Sequence, residues 1–496
     1  MKLLVQIHPD DNVAVAPQAI AAGTRNESGM ELGNIPAGHK AALRAIAPGE
    51  PVVKYGFPIG VATEAIAAGQ QVHSHNLRTG LAEDTALKYE PHGSSSDASG
   101  SVPAFMGYRR PDGRAATRNE IWIVNTVACV NVPSQRIADL AAKEFMVPGG
   151  PIDGIHAFTH PYGCSQLGDD LGYTRKILAG LVRHPNAAAV LILGLGCENN
   201  TLKSFLAEAG TLDPQRVKFF NAQEVQDEIG HGMEAMRGLV AYASQFKREP
   251  IPASELVLGM KCGGSDGFSG ITANPLVGRI AERLAGWGGT AVLTEVPEMF
   301  GAEAPLFNRC ESAEIFDEAL AMVNGFKDYF RRHGEAVHEN PSPGNKEGGI
   351  TTLEEKSLGC IQKGGRAPVK QVVGYGESAR QNLGGLCLVE APGNDGVSCT
   401  ALAAAGAHAI LFTTGRGTPL GVAVPTLKIA SNSDLAARKP NWIDFNAGKL
   451  LEPEAVEEDV TDELMALILE TASGKEARNE INGFREITIW KQGVTL

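Results

Sequence analysis

Residues 256–269 read LVLGMKCGGSDGFS, a glycine-rich stretch near the middle of the chain. A short apolar run leads into Lys261, two glycines and an aspartate, which is the pattern of a strand that ends in a ligand-binding loop. Residues 264–269 (GSDGFS) and 393–398 (GNDGVS) share the pattern G-x-D-G-x-S, and an apolar run precedes each of them. Two matching strand–loop–helix units predict two loops that face one polar pocket.

From residue 121 onward, apolar runs alternate with helix-like stretches. Continuous apolar strands between helices are typical of a parallel sheet that is covered on both faces. We therefore predict an α/β protein in which a small β-rich N-terminal module precedes Rossmann-like α/β domains with parallel sheets. The predicted divisions are the module at 1–90, a Ser/Gly/Pro-rich linker at 91–103 and α/β domains at 104–250 and 251–496.

The composition narrows the class of protein. The formal net charge is −13, from 44 Lys+Arg and 57 Asp+Glu, and no basic block is present, so we expect no nucleic-acid partner. The N-terminus turns polar too early for a signal peptide. The longest apolar run, residues 187–195, is about half of the ~20 residues that span a bilayer. We therefore expect a cytoplasmic protein without a membrane partner.

The eight cysteines are scattered along the chain without a CxxC pair, so disulfides are not expected. Cys164, Cys197, Cys262 and Cys399 lie at glycine-rich strand ends. We expect these cysteines to be small buried fillers. Thiolate ligation of a metal, or an oxygen-sensitive site, is the alternative.

A candidate metal site lies at the end of the N-terminal module, where residues 72–76 read VHSHN. In an extended segment, residues two apart point to the same side. His73 and His75 could then present two imidazoles to one metal ion. A pair of exposed or hydrogen-bonded histidines is the alternative.

The ends of the predicted parallel strands supply candidates for acid–base chemistry. His160 follows one strand, and Glu198 ends the most apolar strand of the chain. A carboxylate in that place must be paired, metal-bound or solvated in a cleft, whereas His160 has a structural role as its alternative. Lys261, Asp266 and Asp395 lie at other glycine-lined strand ends. Together with the histidine pair, this set indicates a metal-assisted reaction on a small hydroxy acid.

Two further patterns have more than one interpretation. Residues 263–267 fit G-x-S-x-G, which would make Ser265 a nucleophile, but so short a match is not specific. Four arginines in residues 105–120 predict either surface charge or an anchor for a carboxylate, since guanidinium and carboxylate pair in a bidentate fork.

An ordered set of motifs across essentially the whole chain resembles the altronate/galactarate dehydratase family. Any one of these motifs is unspecific, whereas the set in this order is specific to the family. The motifs are GHK at 38–40, KYGFPIG at 54–60, VHSHN at 72–76, GYRRPDGR at 107–114, TRN at 117–119, HPYGCSQ at 160–166, GLGCEN at 194–199, KCGGSDGFSG at 261–270, NP at 274–275 and APGNDG at 391–396.

This resemblance implies a SAF-like N-terminal module, followed by the dehydratase body. It implies a hydro-lyase that uses Fe2+, with Mn2+ or another divalent cation as the alternative. The implied substrate is a sugar acid, first of all D-altronate, which would give 2-dehydro-3-deoxy-D-gluconate and water in galacturonate breakdown. Galactarate dehydration, sulfolactate lysis and non-catalytic binding of a sugar acid are the alternatives. The sequence leaves the oligomeric state open, with a homo-oligomer as one alternative.

The implied chemistry assigns roles to the candidate residues. In a 2,3-dihydroxy carboxylate, a base takes the C2 proton, an acid helps the C3 hydroxyl leave, and a metal offsets the charge of the carboxylate. The metal ligands would be His73, His75 and Glu198. The base and the acid would come from His160, Lys261, Asp266 and Asp395. The substrate would be bound by Arg118 and Asn119 at its carboxylate end, and by Asn200, Gly263, Gly264, Ser265, Ser269 and Asn394.

Overall fold

The structure is a computed structural model that describes residues 3–81, 87–92, 101–338 and 340–493. Residues 93–100, the middle of the predicted linker, lie outside the described residues. Residues 82–86 of the predicted module lie outside them as well.

The N-terminal module consists of two small antiparallel sheets around a shared core. Their strand orders are β1-β2-β5 and β3-β4-β6. Glycines with positive φ allow the tight turns between these short strands, as at Gly49 and Gly69. The strands are β1 (Val13–Val15), β2 (Lys40–Ala42), β3 (Pro51–Lys54), β4 (Phe57–Ala62), β5 (Gln71–Val72) and β6 (Leu77–Arg78).

The second part of the chain is built on a four-stranded parallel sheet with strand order β10-β9-β11-β12. Strand β11 is apolar and buried along its whole length, as expected for a strand covered by helices on both faces. The elements are β7 (Ala104–Arg109), β8 (Ala115–Ala116), β9 (Glu120–Asn125), α1 (Asn131–Phe145), β10 (Gly154–Phe158), α2 (Asp170–Arg183), β11 (Ala187–Gly194), α3 (Leu202–Ala209), β12 (Val217–Asn221), α4 (Glu228–Ala243) and β13 (Arg248–Pro252).

Strand β13 pairs with β7 in a separate antiparallel sheet of order β13-β7-β8. The predicted division between residues 250 and 251 falls inside this strand.

The third part is built on a seven-stranded parallel sheet with strand order β16-β17-β15-β14-β18-β19-β20. Its elements are β14 (Val257–Cys262), α5 (Ala273–Gly286), β15 (Thr290–Leu293), α6 (Glu303–Phe307), α7 (Ala313–Arg332), α8 (Pro343–Glu347), α9 (Leu353–Cys360), β16 (Val369–Val373), β17 (Gly385–Val389), α10 (Asp395–Ala404), β18 (Ala409–Thr414), β19 (Thr426–Ala430), α11 (Ser433–Arg438), β20 (Phe445–Asn446), α12 (Glu457–Ala472) and α13 (Arg478–Ile481). The predicted fold class is confirmed.

Each parallel sheet has a point at which the direction of strand addition reverses. In the four-stranded sheet the chain runs from β9 to β10 on one side and then to β11 on the other. In the seven-stranded sheet it runs from β14 to β15 on one side and later to β18 on the other. Ligands of open α/β sheets bind in the crevice beyond the carboxyl ends of the strands at such a switch point. The two switch points therefore define the places to look for a site.

The N-terminal module docks onto the third part through buried ion pairs. Lys40 Nζ and Lys54 Nζ each lie 2.9 Å from one carboxylate oxygen of Glu355, and all three side chains are at most 2% exposed. This contact places the module over the segment that contains α8 and α9. None of the helices in the described part of the chain combines the length and apolarity needed to cross a membrane.

Candidate functional site

Lys261 lies inside the protein at the carboxyl end of β14, where it meets carboxylates from two other strand ends. Its ammonium group pairs with Glu295 and, at 2.9 Å, with Asp395 Oδ1. It also donates to the carbonyl oxygens of Cys262 (2.8 Å) and Gly393 (3.2 Å). Although burial disfavours the charged form, the carboxylates raise the pKa of Lys261 well above its ordinary value. Lys261 is therefore a fixed cation at the β14/β18 switch point.

Two glutamates follow β15 in the same region. Glu295 has left-handed backbone geometry with φ 69°, which is uncommon for a residue with a side chain. Lys363 Nζ lies 2.6 Å from Glu295, and Lys356 Nζ lies 2.9 Å from Glu298. Burial opposes ionisation of Glu298, but Lys356 and the other nearby lysines lower its pKa to about 2. The site thus contains an ionised, fully buried carboxylate.

Two thiols complete the group. Cys262 Sγ lies 3.5 Å from Cys360 Sγ and 3.5 Å from Glu298 Oε2. Lys363 Nζ lies 3.0 Å from Cys360 Sγ. The hydrogen bond with Cys360 lowers the pKa of Cys262, so Cys262 is the first of the pair to ionise. A low-pKa thiol beside an ammonium group is the form in which cysteine binds metals.

The donor atoms of Cys262, Glu295, Glu298 and Cys360 all lie within 4.8 Å of one another, and all four residues are buried. Lysines 261, 356 and 363 face carboxylates 295, 298 and 395, so the three positive and three negative charges cancel. A divalent cation that displaced both thiol protons would leave this balance unchanged, because two positive charges would be matched by two thiolates. The residues therefore fit a divalent metal that accepts sulfur and oxygen ligands, such as iron.

The structure does not bring the predicted metal ligands together. Residues 73–76 form a turn rather than an extended segment, closed by a hydrogen bond from Asn76 N to His73 O (3.0 Å). The extended geometry assumed in the prediction for His73 and His75 is therefore not observed. His73 Nε2 is hydrogen-bonded to Lys346 O (2.9 Å), and its ring stacks on His39. His75 is exposed.

Glu198 and His160 lie at the other sheet, near the β9/β11 switch point. Glu198 is 3% exposed and accepts hydrogen bonds from Thr126 Oγ1 (2.6 Å), Gly196 N (2.6 Å) and Leu195 N (3.0 Å). Burial opposes its ionisation, but these hydrogen bonds lower the pKa of Glu198 below its ordinary value.

His160 is buried, which lowers its pKa, and its Nε2 is hydrogen-bonded to Asn125 O (2.9 Å). Asn200 connects the loops that follow β9 and β11, because its Nδ2 donates to Thr126 O (3.0 Å). In the described part of the chain, no hydrogen bond or ion pair connects these residues with Lys261 or Asp395.

Asp266 has internal partners for both of its oxygens. Oδ1 accepts from Ser269 Oγ (2.9 Å) and Ser431 Oγ (2.8 Å), and Oδ2 accepts from Asn432 Nδ2 (2.9 Å). Burial raises the pKa of Asp266. These bonds fix the loop, and Ser269 belongs to the same network.

Ser265 behaves differently, because its buried Oγ has no hydrogen-bond partner. Asn394 caps α10 by accepting from Val397 N (3.1 Å). This cap orients the loop that carries Asp395.

Arg118 and Asn119 have structural partners in place of a substrate. The five N–H groups of Arg118 make five hydrogen bonds, to Glu480 and to the carbonyl oxygens of residues 117, 471 and 475. Asn119 is fully buried and bonded to Arg110, Asp153 and two carbonyl oxygens. Arg118 thus connects the second and third parts of the chain, and no donor is left for a carboxylate ligand.

A cavity of about 750 Å³ lies between the N-terminal module and the ends of β14 and β18. Asp266, Phe268, Gly415 and Arg416 line it from the sheet side, and Gln18 lines it from the module. Its volume is that of a typical small-molecule site.

The predicted Gly263 and Gly264 stand beside this cavity. A Cβ on Gly263 would lie 2.5 Å from a carboxylate oxygen of Asp395, and one on Gly264 would lie 3.3 Å from Arg416 Cβ. The two glycines therefore form a thin wall with Asp395 on one side and Arg416 on the other.

Several residues of this group were not singled out from the sequence, namely Glu295, Glu298, Lys356, Cys360 and Lys363. The stretch EVPEM after a buried strand offered a signal for the two glutamates. Cys360 lies 98 residues from Cys262, and no local pattern connects them.

Comparisons with known proteins match the chain along its length. Three sequence profiles of one family match it in order. They are described as altronate/galactarate dehydratase SAF domain (residues 2–80), D-galactarate dehydratase/altronate hydrolase second domain (107–244) and D-galactarate/altronate dehydratase C-terminal (253–495).

Individual relatives agree with these profiles. An altronate dehydratase of Escherichia coli (strain K12) is 50% identical over 496 residues, covering 99% of both chains. An altronate dehydratase of Bacillus subtilis (strain 168) is 48% identical over 503 residues, covering 100% of both. A galactarate dehydratase (L-threo-forming) of E. coli is 34% identical, covering 95% of this chain and 93% of its own.

Proposed function

Because the chain belongs to the D-galactarate/altronate dehydratase family, we propose that it is a hydro-lyase that converts D-altronate to 2-dehydro-3-deoxy-D-gluconate and water. The observation that carries this proposal is the identity of 50% and 48% to two altronate dehydratases over the full length. The identity to a galactarate dehydratase is lower, at 34%. This difference supports altronate as the substrate.

We propose that Cys262, Glu295, Glu298 and Cys360 hold the divalent metal, in place of the predicted histidine pair and Glu198. Their donor atoms already lie together, and their charges allow a divalent cation to bind. Thiolate together with carboxylate favours Fe2+ over the harder Mn2+. When bound, the metal supplies Lewis acidity toward the carboxylate and hydroxyl oxygens of the substrate.

Asp395 is the proposed base for the C2 proton. Its side chain is 38% exposed, whereas Lys261, Glu295 and Glu298 are almost fully buried. A carboxylate that can reach a substrate while an ammonium group holds it in place is suited to proton transfer. Lys261, at 2.9 Å, holds the Asp395 carboxylate in place and is therefore a positioning residue.

The 750 Å³ cavity is the proposed binding place for the sugar acid. Arg416 offers a guanidinium group, which suits the substrate carboxylate. Gly263 and Gly264 separate Arg416 from Asp395, so a substrate held at Arg416 would have to extend past this glycine loop to reach the Asp395 carboxylate. The unpartnered Ser265 Oγ in the same loop is available to a substrate hydroxyl.

The test is an anaerobic assay of the purified full-length protein with Fe2+ against D-altronate, galactarate and sulfolactate. We expect a 2-keto-3-deoxy acid from D-altronate, with kcat/KM at least tenfold higher than for the other two acids. Turnover of galactarate or sulfolactate at a higher kcat/KM would reject altronate as the substrate. Binding of D-altronate without turnover would reject the hydro-lyase activity.

A further inference from the structure

The cysteines of the second part of the chain differ from those of the third. Cys129, Cys164 and Cys197 are exposed, whereas Cys262, Cys310, Cys360, Cys387 and Cys399 are buried. Cysteine is among the residues most often buried, and an exposed free thiol is open to oxidation. Three exposed thiols in one small unit therefore need an explanation other than packing. For Cys164 and Cys197, the expectation of buried fillers is wrong.

These three cysteines come from three adjacent strand ends of one sheet. Cys129 follows β9, Cys164 follows β10 and Cys197 follows β11, and β9 lies between the other two strands. The reversal of strand order between β9 and β11 makes this edge a switch point, where α/β sheets bind ligands. The topology alone thus brings the three thiols to one crevice.

Hydrogen bonds connect the three loops right beside the cysteines. Ala128 N donates to Tyr162 O (2.9 Å), and Asn200 N donates to Gly163 O (2.9 Å). Asn199 Oδ1 accepts from Ser165 N (2.8 Å) and lies 3.4 Å from Cys164 Sγ. The loops around the three thiols therefore hold one another in place without any ligand.

The backbone in these loops is held in uncommon conformations. Ser165, next to Cys164, has φ 57°, and Gly163 and Gly196 have φ values of 102° and 128°. Left-handed geometry at a residue with a side chain costs free energy and is concentrated at functional sites. Asn125, at the end of β9, is fully buried and leaves its Oδ1 without a hydrogen-bond partner.

A single metal ion and a polynuclear cluster need different spacings of their thiolate ligands. Two sulfur ligands of one zinc ion at about 2.3 Å cannot lie farther than about 4.6 Å apart. Among the described residues, the three cysteines do not form a group with all donor atoms within 4.8 Å of one another. A polynuclear cluster accepts wider spacing because each thiolate binds a different iron atom.

We propose that Cys129, Cys164 and Cys197 bind an iron–sulfur cluster at the β9/β11 switch point. Three thiolates supply three of the four protein ligands usual for a cubane with four irons and four sulfides. Glu198 and His160 are other ligand types on these loops, and both are engaged by internal hydrogen bonds. The fourth iron would therefore have no ligand from these two side chains. This inference does not rest on the proposed dehydration, because cluster binding is measured without turnover.

The test is reconstitution of the full-length protein with ferrous iron and sulfide under anaerobic conditions, followed by desalting. We expect about four irons and four sulfides retained per chain, in addition to iron bound elsewhere, with the visible absorption and Mössbauer spectrum of a cluster. Cys129→Ser, Cys164→Ser and Cys197→Ser should each reduce retained sulfide at least fivefold. These residues are exposed, so the variants should keep the circular dichroism and thermal unfolding of the apoprotein.

Cys310→Ala is the matched control, because this buried cysteine lies outside both strand edges, and it should retain the full sulfide content. Wild-type protein that retains no sulfide would overturn the proposal, and so would retention of a single zinc ion in its place. Equal sulfide content in the wild type and the three serine variants would overturn it as well. A loss of altronate turnover with an intact cluster would count against the proposed function alone.

Discussion

The two switch points of this molecule occupy equivalent places in two parallel sheets, but their chemistry is different. The β14/β18 edge carries lysines, carboxylates and two thiols that are buried and paired with one another. The β9/β11 edge carries three exposed thiols and the buried carboxylate of Glu198, which is held by uncharged donors. A topological rule thus predicts where ligands bind, and the side chains decide which ligands they are.

The difference extends to what covers each edge. The N-terminal module covers the β14/β18 edge through Lys40, Lys54 and Glu355. Buried charges attract strongly only where water is excluded, so this cover and the charged group need each other. At the β9/β11 edge the thiols are exposed and can accept metal directly from solution.

Removing the charge of Asp395 is expected to have the largest effect. Asp395→Asn deletes the proposed base at the β14/β18 edge, and kcat for D-altronate should fall by about 100-fold to 10,000-fold. The variant should stay folded, because Lys261 keeps Glu295 as a counter-charge. Asp459→Asn is the matched control, since Asp459 lies in the first turn of α12, just as Asp395 lies in the first turn of α10. An Asp395→Asn variant with wild-type kcat would exclude the proposed role.

Disrupting the docking of the N-terminal module over that edge should have the next largest effect, here on the stability of the protein. Glu355→Gln leaves Lys40 and Lys54 buried without a counter-charge, which should lower the free energy of unfolding by about 3–5 kcal/mol. The measurement is urea denaturation followed by circular dichroism. Glu311→Gln removes an exposed pair with Lys370 and should cost about 0.5 kcal/mol or less. Equal losses of unfolding free energy in the two variants would show that burial does not strengthen the ion pairs of Glu355.

The ion pairs of Glu355 also predict that the free energy of unfolding depends on pH. Although burial opposes ionisation, Lys40 and Lys54 depress the pKa of Glu355 far below its ordinary value. Its stabilising contribution is therefore complete above about pH 4.3 and is lost as the pH falls further. The Glu355→Gln variant should lack this acid-side loss of stability. If the wild type and the Glu355→Gln variant lose stability in parallel as the pH falls, other groups control the acid-side loss.

At the β9/β11 edge, the substitution Glu198→Gln should lower the free energy of unfolding by less than Glu355→Gln does. The amide presents a donor to groups that themselves donate, so at least one of Thr126 Oγ1, Leu195 N and Gly196 N loses its acceptor. We expect a loss of about 1–3 kcal/mol in the free energy of unfolding, measured by urea denaturation. Glu208→Gln, on the exposed side of α3, should have no measurable effect. A Glu198→Gln variant as stable as wild type would show that the carboxylate is not structural.

Thiol labelling compares the exposed cysteines of the β9/β11 edge with buried cysteines of the third part, without changing the protein's sequence. Native apoprotein treated with iodoacetamide should be modified rapidly at Cys129, Cys164 and Cys197. Burial raises the pKa of Cys310, Cys387 and Cys399 to about 12, so these thiols should react only after unfolding. Mass spectrometry of proteolytic peptides identifies which cysteines carry the modification. Rapid modification of the buried cysteines would indicate that the third part of the chain opens readily.

The fold could be predicted from the sequence because its signals are local. Apolar strands alternating with helices gave the parallel sheets, and glycine turns gave the β-rich module. Lys261 and Asp395 were selected for the same reason, since each lies beside a glycine loop after an apolar strand, and the structure places them 2.9 Å apart.

What could not be predicted depends on distant contacts. Glu355 meets Lys40 and Lys54 across 315 and 301 residues, and nothing near Glu355 signals that it is buried. His73 and His75 were predicted to pair on the assumption of an extended segment, but the Asn76 side chain accepts from His73 N (2.9 Å) and supports a turn. Arg118 was expected to bind the substrate carboxylate. Its actual partner, Glu480, lies 362 residues away, so nothing near Arg118 in the sequence indicates that pairing.

The docking of Lys40 and Lys54 on Glu355 also constrains the order in which the protein is made. Lys54 is translated 301 residues before Glu355, and domains generally fold as units, N-terminal first, during synthesis. Until Glu355 has been made, both lysines must stay hydrated, because a buried ammonium group without a counter-charge is costly. The first part of the chain to be synthesised therefore reaches its docked position only after Glu355, far along the same chain, has been made.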